Sequence, residues 1–327
     1  MPTTPHSSTL GAPPLHILLT GGTGFLGQAL CRALLLQGHR LTLWVRSAEK
    51  AEALFGTAVR HVTRLADVAP GDMPDVLLNF SGEPILGPRW SLQRKQQLHA
   101  SRSGVTQALV DWVAASARKP RLLLSASAIG YYGIQVRGDM AALGEDAPPQ
   151  PIFMSELCQR WEHAAQGMAV HGVAVACVRL GVVLGLKGAL PEMLRPFRLG
   201  VGTRTGRGDQ VLTWVHLDDV VAGVLHLLAQ LHQSPHTPYR PPSGAYNVTA
   251  PYPVSQQEFT DTVCRVLHRP LALPVPAALL QLMLGEQASL LTEGQRVVPR
   301  RLLADGYHFR FERLEAALQD LERKRKM

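Results

Sequence analysis

The feature that most constrains this chain lies near its start. An apolar run of strand length, residues 16–20, passes into Thr20-Gly21-Gly22-Thr23-Gly24-Phe25-Leu26-Gly27, and a helical pattern follows over residues 25–37. A glycine cluster alone is a weak signal, but between a buried strand and an amphipathic helix it is specific. One glycine permits the tight turn, another lets the backbone approach a pyrophosphate, and Gly27 lets the helix lie close to the strand. The helix start offers free N–H groups and the positive end of the helix dipole to phosphate. Gly21, Gly22, Thr23, Gly24, Phe25, Leu26 and Gly27 are therefore the expected contacts of a dinucleotide.

The rest of the chain continues the alternation. Short apolar runs at 41–45, 75–80, 121–125 and 173–179 read as buried strands, and residues 92–116 and 153–170 read as helices between them. Gly38 stands where a left-handed helix cap is expected. Such alternation implies right-handed crossovers and a doubly wound parallel sheet, an α/β Rossmann fold. After Arg179 the rhythm breaks. Residues 184–210 read as a loop rich in glycine and arginine, 211–215 as a strand and 218–231 as a helix returning to the main sheet, and 232–242 as a loop. From 251 onward short helices and prolines predict a smaller lobe. The expected division is a disordered tail at 1–14, a dinucleotide-binding domain at 15–183 and 211–250, and a substrate-side lobe at 184–210 and 251–327.

The second strand ends in Arg46, with Lys50 close behind, where an NAD-preferring fold carries an acid for the ribose hydroxyls. An arginine there suits a 2′-phosphate, so NADP(H) is the expected cofactor. The formal net charge of +8 raises the question of nucleic acid. The basic residues are scattered, however, with one dense cluster at 323–326, and a basic groove for an anionic cofactor or substrate accounts for the charge better. No nucleic-acid partner is expected. The four cysteines, Cys31, Cys158, Cys177 and Cys264, lie far apart, which argues for a reducing compartment and against zinc or a disulfide framework. The thirteen histidines show no metal-ligand spacing, so no metal is expected. No apolar run reaches the roughly 18 residues of a membrane helix, and the first 14 residues lack a signal-peptide pattern; the expected location is cytoplasmic. Oligomeric state is left open.

Further motifs narrow the reading. They are Asn79-Phe80-Ser81-Gly82-Glu83, Arg89-Trp90, Ser101-Arg102, Ser125-Ala126-Ser127 with Tyr131-Tyr132-Gly133, and Trp161-Glu162. Later come Arg179-Leu180-Gly181-Val182-Val183-Leu184-Gly185, Pro196-Phe197-Arg198-Leu199-Gly200, Trp214-Val215-His216-Leu217-Asp218-Asp219, Leu284-Gly285-Glu286 and Gly294-Gln295-Arg296-Val297. Over about residues 15–320 the set resembles the extended short-chain dehydrogenase/reductase superfamily. More narrowly it resembles an atypical branch of NAD-dependent epimerase/dehydratase-like proteins with a distinctive C-terminal domain. The resemblance implies that Phe80, Ser81 and Gly82 line the cofactor, that Arg46 and Arg102 reach its charged or polar groups, and that Val183 lies near the nicotinamide.

The superfamily's usual engine is a tyrosine and a lysine four residues apart on one helical face. The lysine lowers the tyrosine pKa so that the phenolate takes the alcohol proton. Aligning Glu162 with the acid that follows that lysine puts Cys158 in the lysine slot and Met154 in the tyrosine slot, and neither can do the work. Ser127, at the end of the fifth strand, and Tyr131, on the loop after it, are the candidates that remain for catalysis; Tyr132, Glu83 and Cys158 are weighed beside them. Glu83 is either a base or a structural acceptor, Cys158 reads as an inert thiol, and His216 with Asp219 as a turn and helix cap. The expected function is NADP(H)-dependent reduction, oxidation or epimerisation of a small polar substrate, a nucleotide sugar among the candidates. Arg195, Arg198, Arg204 and Arg207 stand ready for an anionic substrate group, on a segment free to close over it. The alternative is a non-catalytic NADP(H)-binding sensor or regulatory protein, which the missing pair favours.

Overall fold

The structure is a computed structural model and describes residues 13–200, 202–232, 241–269 and 272–327. Most of the expected tail and most of the 232–242 loop lie outside the described residues. In chain order the first strands are β1 (His16–Thr20), β2 (Arg40–Trp44), β3 (Arg60–Val62), β4 (Val76–Asn79), β5 (Leu122–Ala128) and β6 (Ala174–Leu180). Four short strands follow: β7 (Val182–Leu184), β8 (Gly202–Thr205), β9 (Val211–Leu212) and β10 (Trp214–His216). The last three are β11 (Gly244–Val248), β12 (Val254–Ser255) and β13 (Ala272–Val275).

Seven of these form one sheet in the order β11-β6-β5-β4-β1-β2-β3, every neighbouring pair parallel. The chain winds outward from β1 in one direction through β2 and β3, then returns to the other side at β4. The ends of β1 and β4 therefore flank the crevice where ligands bind in doubly wound sheets.

The helices of the first half are α1 (Phe25–Leu36), α2 (Ala48–Phe55), α3 (Leu92–His99), α4 (Val105–Ala115) and α5 (Phe153–Gln166). The second half adds α6 (Ala189–Arg198), α7 (Leu217–Ala229), α8 (Gln256–Leu267), α9 (Ala277–Leu284), α10 (Ser289–Thr292), α11 (Arg300–Ala304) and α12 (Leu314–Lys326).

Alternation along the buried runs sorts side chains to two faces. Ile17 and Leu19 join Leu30 and Leu34 of α1 and Val220, Val224 and Leu227 of α7 in one core. Leu18, between them, joins Leu109 and Val113 of α4 and Ala165 of α5 in the core on the opposite face. A third cluster unites Leu190, Leu194 and Phe197 of α6 with Phe259 and Val263 of α8 and Leu318 and Leu321 of α12, around Trp214. The C-terminal chain serves two of these cores, since Leu302, Tyr307 and Phe309 pack into the first.

Several expectations need correction. The 184–210 stretch is not a loop: it holds α6 and then β8, which pairs in parallel with β13. The 211–215 strand does not rejoin the main sheet. It is split at Thr213, with β9 pairing antiparallel to β12 and β10 pairing parallel to β7. The seventh strand is instead β11, whose GAYNV sequence carries no apolar run. Strand β3 was likewise illegible, since three residues with one buried side chain show no period. The 92–116 helix is interrupted by a π-helical turn at Ala100–Gly104, and the 153–170 helix stops at Gln166. Gly38 is left-handed as expected, with φ +80°.

Candidate functional site

The glycine loop leaves β1 at the sheet's C-terminal edge. Gly21 has φ +76°, and a Cβ built there would lie 2.4 Å from the Phe80 carbonyl oxygen, so the turn closes against the chain leaving β4. A Cβ on Gly27 would lie 2.1 Å from the Gly21 carbonyl oxygen and 2.6 Å from Gly22 Cα. Helix α1 can therefore approach the loop only through a glycine. Gly22 is set against the Leu43 and Leu19 side chains, and the Gly24 N–H donates to the Gly21 carbonyl at 2.9 Å. Gln28 Nε2 closes the turn on the Thr23 carbonyl at 3.0 Å. Gly24 is the N-cap of α1 and brings no side-chain cap, which leaves the first N–H groups of the helix for an incoming acceptor. Leu26 packs against the core beneath the loop. The Phe25 ring is seated on the chain after β7, where a Cβ on Gly185 would lie 2.5 Å from Phe25 Cζ. These residues fit a dinucleotide pyrophosphate: the helix start is uncapped, and glycines stand where the backbone packs closest.

Around this loop the structure gathers most of the expected residues. Arg46 is exposed at the end of β2, with Nη1 3.1 Å from Glu83 Oε1. Phe80 and Val183 are partly buried and pack on the core, and Val183 stands beside Val215 in the β7–β10 pair. Ser81 and Gly82 continue the chain from β4 at the surface of the crevice. Arg102 comes to the crevice but faces the chain. Its Nη2 donates to the Glu83 carbonyl at 2.8 Å and Nη1 to the Leu98 carbonyl at 3.2 Å. The guanidinium also packs under Gly82 and 5.3 Å from the Trp161 ring centroid. Burial lowers its pKa from the ordinary arginine value.

Beside β5 lies a buried polar cluster. Ser127 Oγ donates to Glu162 Oε1 at 2.7 Å. Arg179, level with Ser127 on the neighbouring strand, engages both Glu162 oxygens at 2.8 Å through Nε and Nη2. Its Nη1 donates to the Tyr132 hydroxyl at 2.9 Å, and that hydroxyl donates to Asn247 Oδ1 at 2.7 Å. Burial pushes the Tyr132 phenol up to about 12, against the opposing pull of Arg179. Burial works against the charge on Arg179 itself, but Glu162 outweighs it and the net shift is upward. Tyr131 lies on the same guanidinium, its ring centroid 3.4 Å from Arg179 Cζ, and its hydroxyl has no hydrogen-bond partner among the described residues. Of the two tyrosines, Tyr132 is committed to the core, and the Tyr131 hydroxyl is unpaired among the described residues. With its proton donated to Glu162, Ser127 has only lone pairs left to offer a further donor.

Met154 and Cys158, the residues the resemblance sets in the Tyr and Lys slots, lie together. A Cβ on Gly130 would lie 3.0 Å from Met154 Cε and 3.7 Å from Cys158 Sγ, so one face of α5 presents both residues to the turn after β5. Cys158 is fully buried, and burial pushes its thiol up to about 12, which suits an inert side chain.

The other candidates lie elsewhere. His216 Nδ1 caps α7 by accepting from the Asp218 N–H at 3.0 Å, while Asp219 accepts from the Arg310 and Phe311 N–H groups and from the Tyr307 hydroxyl. His216, Asp218 and Asp320 have ligand-type atoms within 4.8 Å of one another. With Nδ1 accepting, the neutral ring holds its proton on Nε2, and Lys324 Nζ bridges the two carboxylates at 2.7 and 2.8 Å, where a cation would sit. The four arginines of the 195–210 segment are occupied within the chain: Arg195 with Glu192, Arg198 with Glu322, Arg204 with Gln257, and Arg207 with Asp209 and Glu293. Arg198 and Glu322 line a cavity of about 240 Å³ between α6 and α12, walled by Leu190, Leu194, Leu318 and Leu321.

The sequence profile of the NAD dependent epimerase/dehydratase family matches residues 17–248. The chain belongs to that family. A second profile, a domain of unknown function (DUF1731), matches residues 275–321. Epimerase family protein YfhF of Bacillus subtilis is 36% identical over 315 residues, covering 95% of this chain and 99% of its own. The crystal structure of human epimerase family protein SDR39U1 (isoform 2) with NADPH is 33% identical and superposes with a TM-score of 0.78, covering 94% of this chain and 99% of that one. A nucleoside-diphosphate sugar epimerase from Corynebacterium glutamicum is 26% identical with a TM-score of 0.71; 94% of this chain aligns with 58% of that one. The expected resemblance and the Rossmann fold are both upheld. Sequence reasoning missed Asn247 altogether, weighed Tyr132 only as an alternative to Tyr131, and gave Arg179 no task beyond its place in a motif. Arg179 read as the end of an apolar strand, and its charge at a buried position was the one available signal.

Proposed function

We propose that the chain binds NADPH at the glycine loop and acts as an oxidoreductase or epimerase-like enzyme on a small polar substrate, a nucleotide sugar among the candidates. The observation that carries the reading is the uncapped glycine turn at the sheet's switch point, closed at Gly21 and Gly27 where no Cβ fits, with Arg46 at the end of β2. The loop N–H groups hold the pyrophosphate, and Arg46 takes the 2′-phosphate. Phe80, Ser81 and Gly82 line the crevice, with Arg102 fastening the backbone there, and Val183 stands on the nicotinamide side. The solved NADPH complex of human SDR39U1, a relative across almost the whole chain, supports this choice.

When bound, the nicotinamide supplies or takes a hydride. Ser127 accepts a hydrogen bond from the substrate hydroxyl while Glu162 keeps its own proton aligned. Tyr131 offers the free hydroxyl that gives or takes a proton, its ring held on Arg179. Residues 15–183 and 211–250 form the nucleotide half in this reading, with 184–210 and the C-terminal lobe on the substrate side. The test is calorimetry: NADPH should bind at least tenfold more tightly than NADH, about 1.4 kcal/mol, and Arg46→Asp should shrink or reverse the ratio. Equal affinities in the wild type refute it. A second reading, a non-catalytic NADPH sensor, is favoured by Met154 and Cys158 in the engine slots. Tight NADPH binding with no oxidation across a carbonyl panel would select it.

A further inference from the structure

Arg46 and Glu83 stand on opposite sides of the glycine loop. Strand β1, which ends in that loop, lies between β2 and β4 in the sheet. Arg46 follows β2 and Glu83 follows β4, so their ion pair, 3.1 Å long, crosses the mouth of the crevice. The two partners are held very differently. The Arg46 side chain is 94% exposed and has no other partner among the described residues. The Glu83 backbone is fastened at both ends: its N–H donates to Ser101 Oγ at 3.2 Å, and its carbonyl accepts from Arg102 Nη2 at 2.8 Å. The Leu98 carbonyl in turn accepts from Ser101 Oγ and Arg102 Nη1. The π-helical turn carrying Ser101 and Arg102 thus fixes the backbone that bears the Glu83 carboxylate, and the exposed Arg46 guanidinium is the less restrained partner.

We propose that Glu83 tunes dinucleotide preference by competing with the ligand's 2′-phosphate for Arg46. This rests on the NADPH reading above. One exposed cation faces two anions, and a 2′-phosphate must draw Arg46 off Glu83 while the carboxylate, on its clamped backbone, repels it. A free ribose hydroxyl is a donor and meets no such opposition. Glu83 therefore weakens binding of the phosphorylated ligand selectively and narrows the margin that Arg46 creates.

Calorimetry on the full chain at low ionic strength, with adenosine 2′,5′-bisphosphate and AMP as probes, tests this. Glu83→Gln keeps the side-chain length and the backbone clamps. It should tighten the bisphosphate about three- to fivefold, a modest effect because exposed ion pairs are weak, and change AMP less than about twofold. The gain should narrow in 0.5 M salt, where the screening length falls to roughly 4 Å, and fall below about twofold on an Arg46→Ala background, as a coupled pair requires. An unchanged or weakened bisphosphate affinity in Glu83→Gln, with wild type binding NADPH normally, overturns this proposal alone. Wild type binding neither NADPH nor NADH overturns the cofactor reading, and the proposal with it.

Discussion

Gly27 and Gly104 show what a single missing side chain does in two different surroundings. At Gly27 the obstructing atoms are backbone, 2.1 Å and 2.6 Å from a built Cβ, and cannot rotate away. Gly27→Ala should therefore destabilise the chain by about 1–3 kcal/mol, the usual range for overpacking, and weaken NADPH at least about tenfold as α1 is pushed off the loop. Gly104, with φ −66° and ψ −44° and nothing within 4 Å, is the control. Gly104→Ala should be neutral or stabilising by up to about 1 kcal/mol. Urea midpoints for the two variants check the pair, and equal losses would mean that the close approach at Gly27 has been misjudged. The polar cluster gives a second contrast. Glu162→Gln leaves the Arg179 charge buried without its counter-ion, a loss of roughly 3–5 kcal/mol. Ser127→Ala removes one hydrogen bond and should cost about 1 kcal/mol in stability. If Ser127→Ala proves as damaging as Glu162→Gln, the ion pair is not what organises this cluster.

At the level of elements, the segment after β4 is tied to the C-terminal chain almost 200 residues away. Gln287, fully buried, accepts from the Gly87 N–H at 3.2 Å and donates to the Pro88 carbonyl at 2.6 Å. Arg89 donates to the Leu282 and Met283 carbonyls, and Lys95 pairs with Glu286 at 2.6 Å. The Arg89-Trp90 and Leu284-Gly285-Glu286 motifs, far apart in sequence, are thus two sides of one junction. Gln287→Ala strips the 87–88 backbone of its partners at a local cost of about 1–3 kcal/mol. Limited proteolysis should then cut residues 84–91 at least several-fold faster while the main melting transition barely moves. Unaltered cleavage would show that the arginine and lysine contacts suffice.

For the whole molecule, acid is the sensitive direction. Burial lowers the pKa of His216 below the ordinary 6.5, against opposing and assisting charges from Asp218, Lys324, Asp320 and Arg310, and burial likewise lowers His16. A histidine held neutral in the fold takes up its proton more readily when unfolded. Stability present above about pH 6.5 is therefore lost as pH falls through that value toward the depressed folded one. The slope reaches at most about 1.4 kcal/mol per pH unit for each such group. Chemical denaturation at pH 7.5, 6.0 and 5.0 should show this decline, and His216→Asn should flatten it. A wild-type stability constant across that range would refute the assignment. His216 matters at this scale because it sits at the start of α7, against Phe311 and 3.5 Å from Asp320 of α12, where the C-terminal chain meets the sheet domain.

What the sequence determined by itself were the features written in contiguous residues. The β1–loop–α1 unit is one, because strand period, glycine spacing and helix period all lie within 21 residues and agree. The parallel β4 and β5 followed from the same alternation, and the assignment of Met154 and Cys158 to the Tyr and Lys slots came from the family resemblance. Tertiary structure decided what depends on partners distant in the chain. Whether residues 244–248 are a strand is settled by β6, whose edge supplies the hydrogen bonds that a polar GAYNV segment cannot advertise by period. Helix α6 owes its place to a core completed by α8 and α12, so its glycine- and proline-rich surroundings read as loop. The same holds for charge. Arg46, Arg102, Arg179 and Arg198 are alike in sequence, yet one is exposed and paired with Glu83, one clamps a backbone, one is buried on Glu162 and one lines a cavity. A guanidinium's task is set by which acceptors the fold brings within about 3 Å, and sequence spacing does not encode that distance.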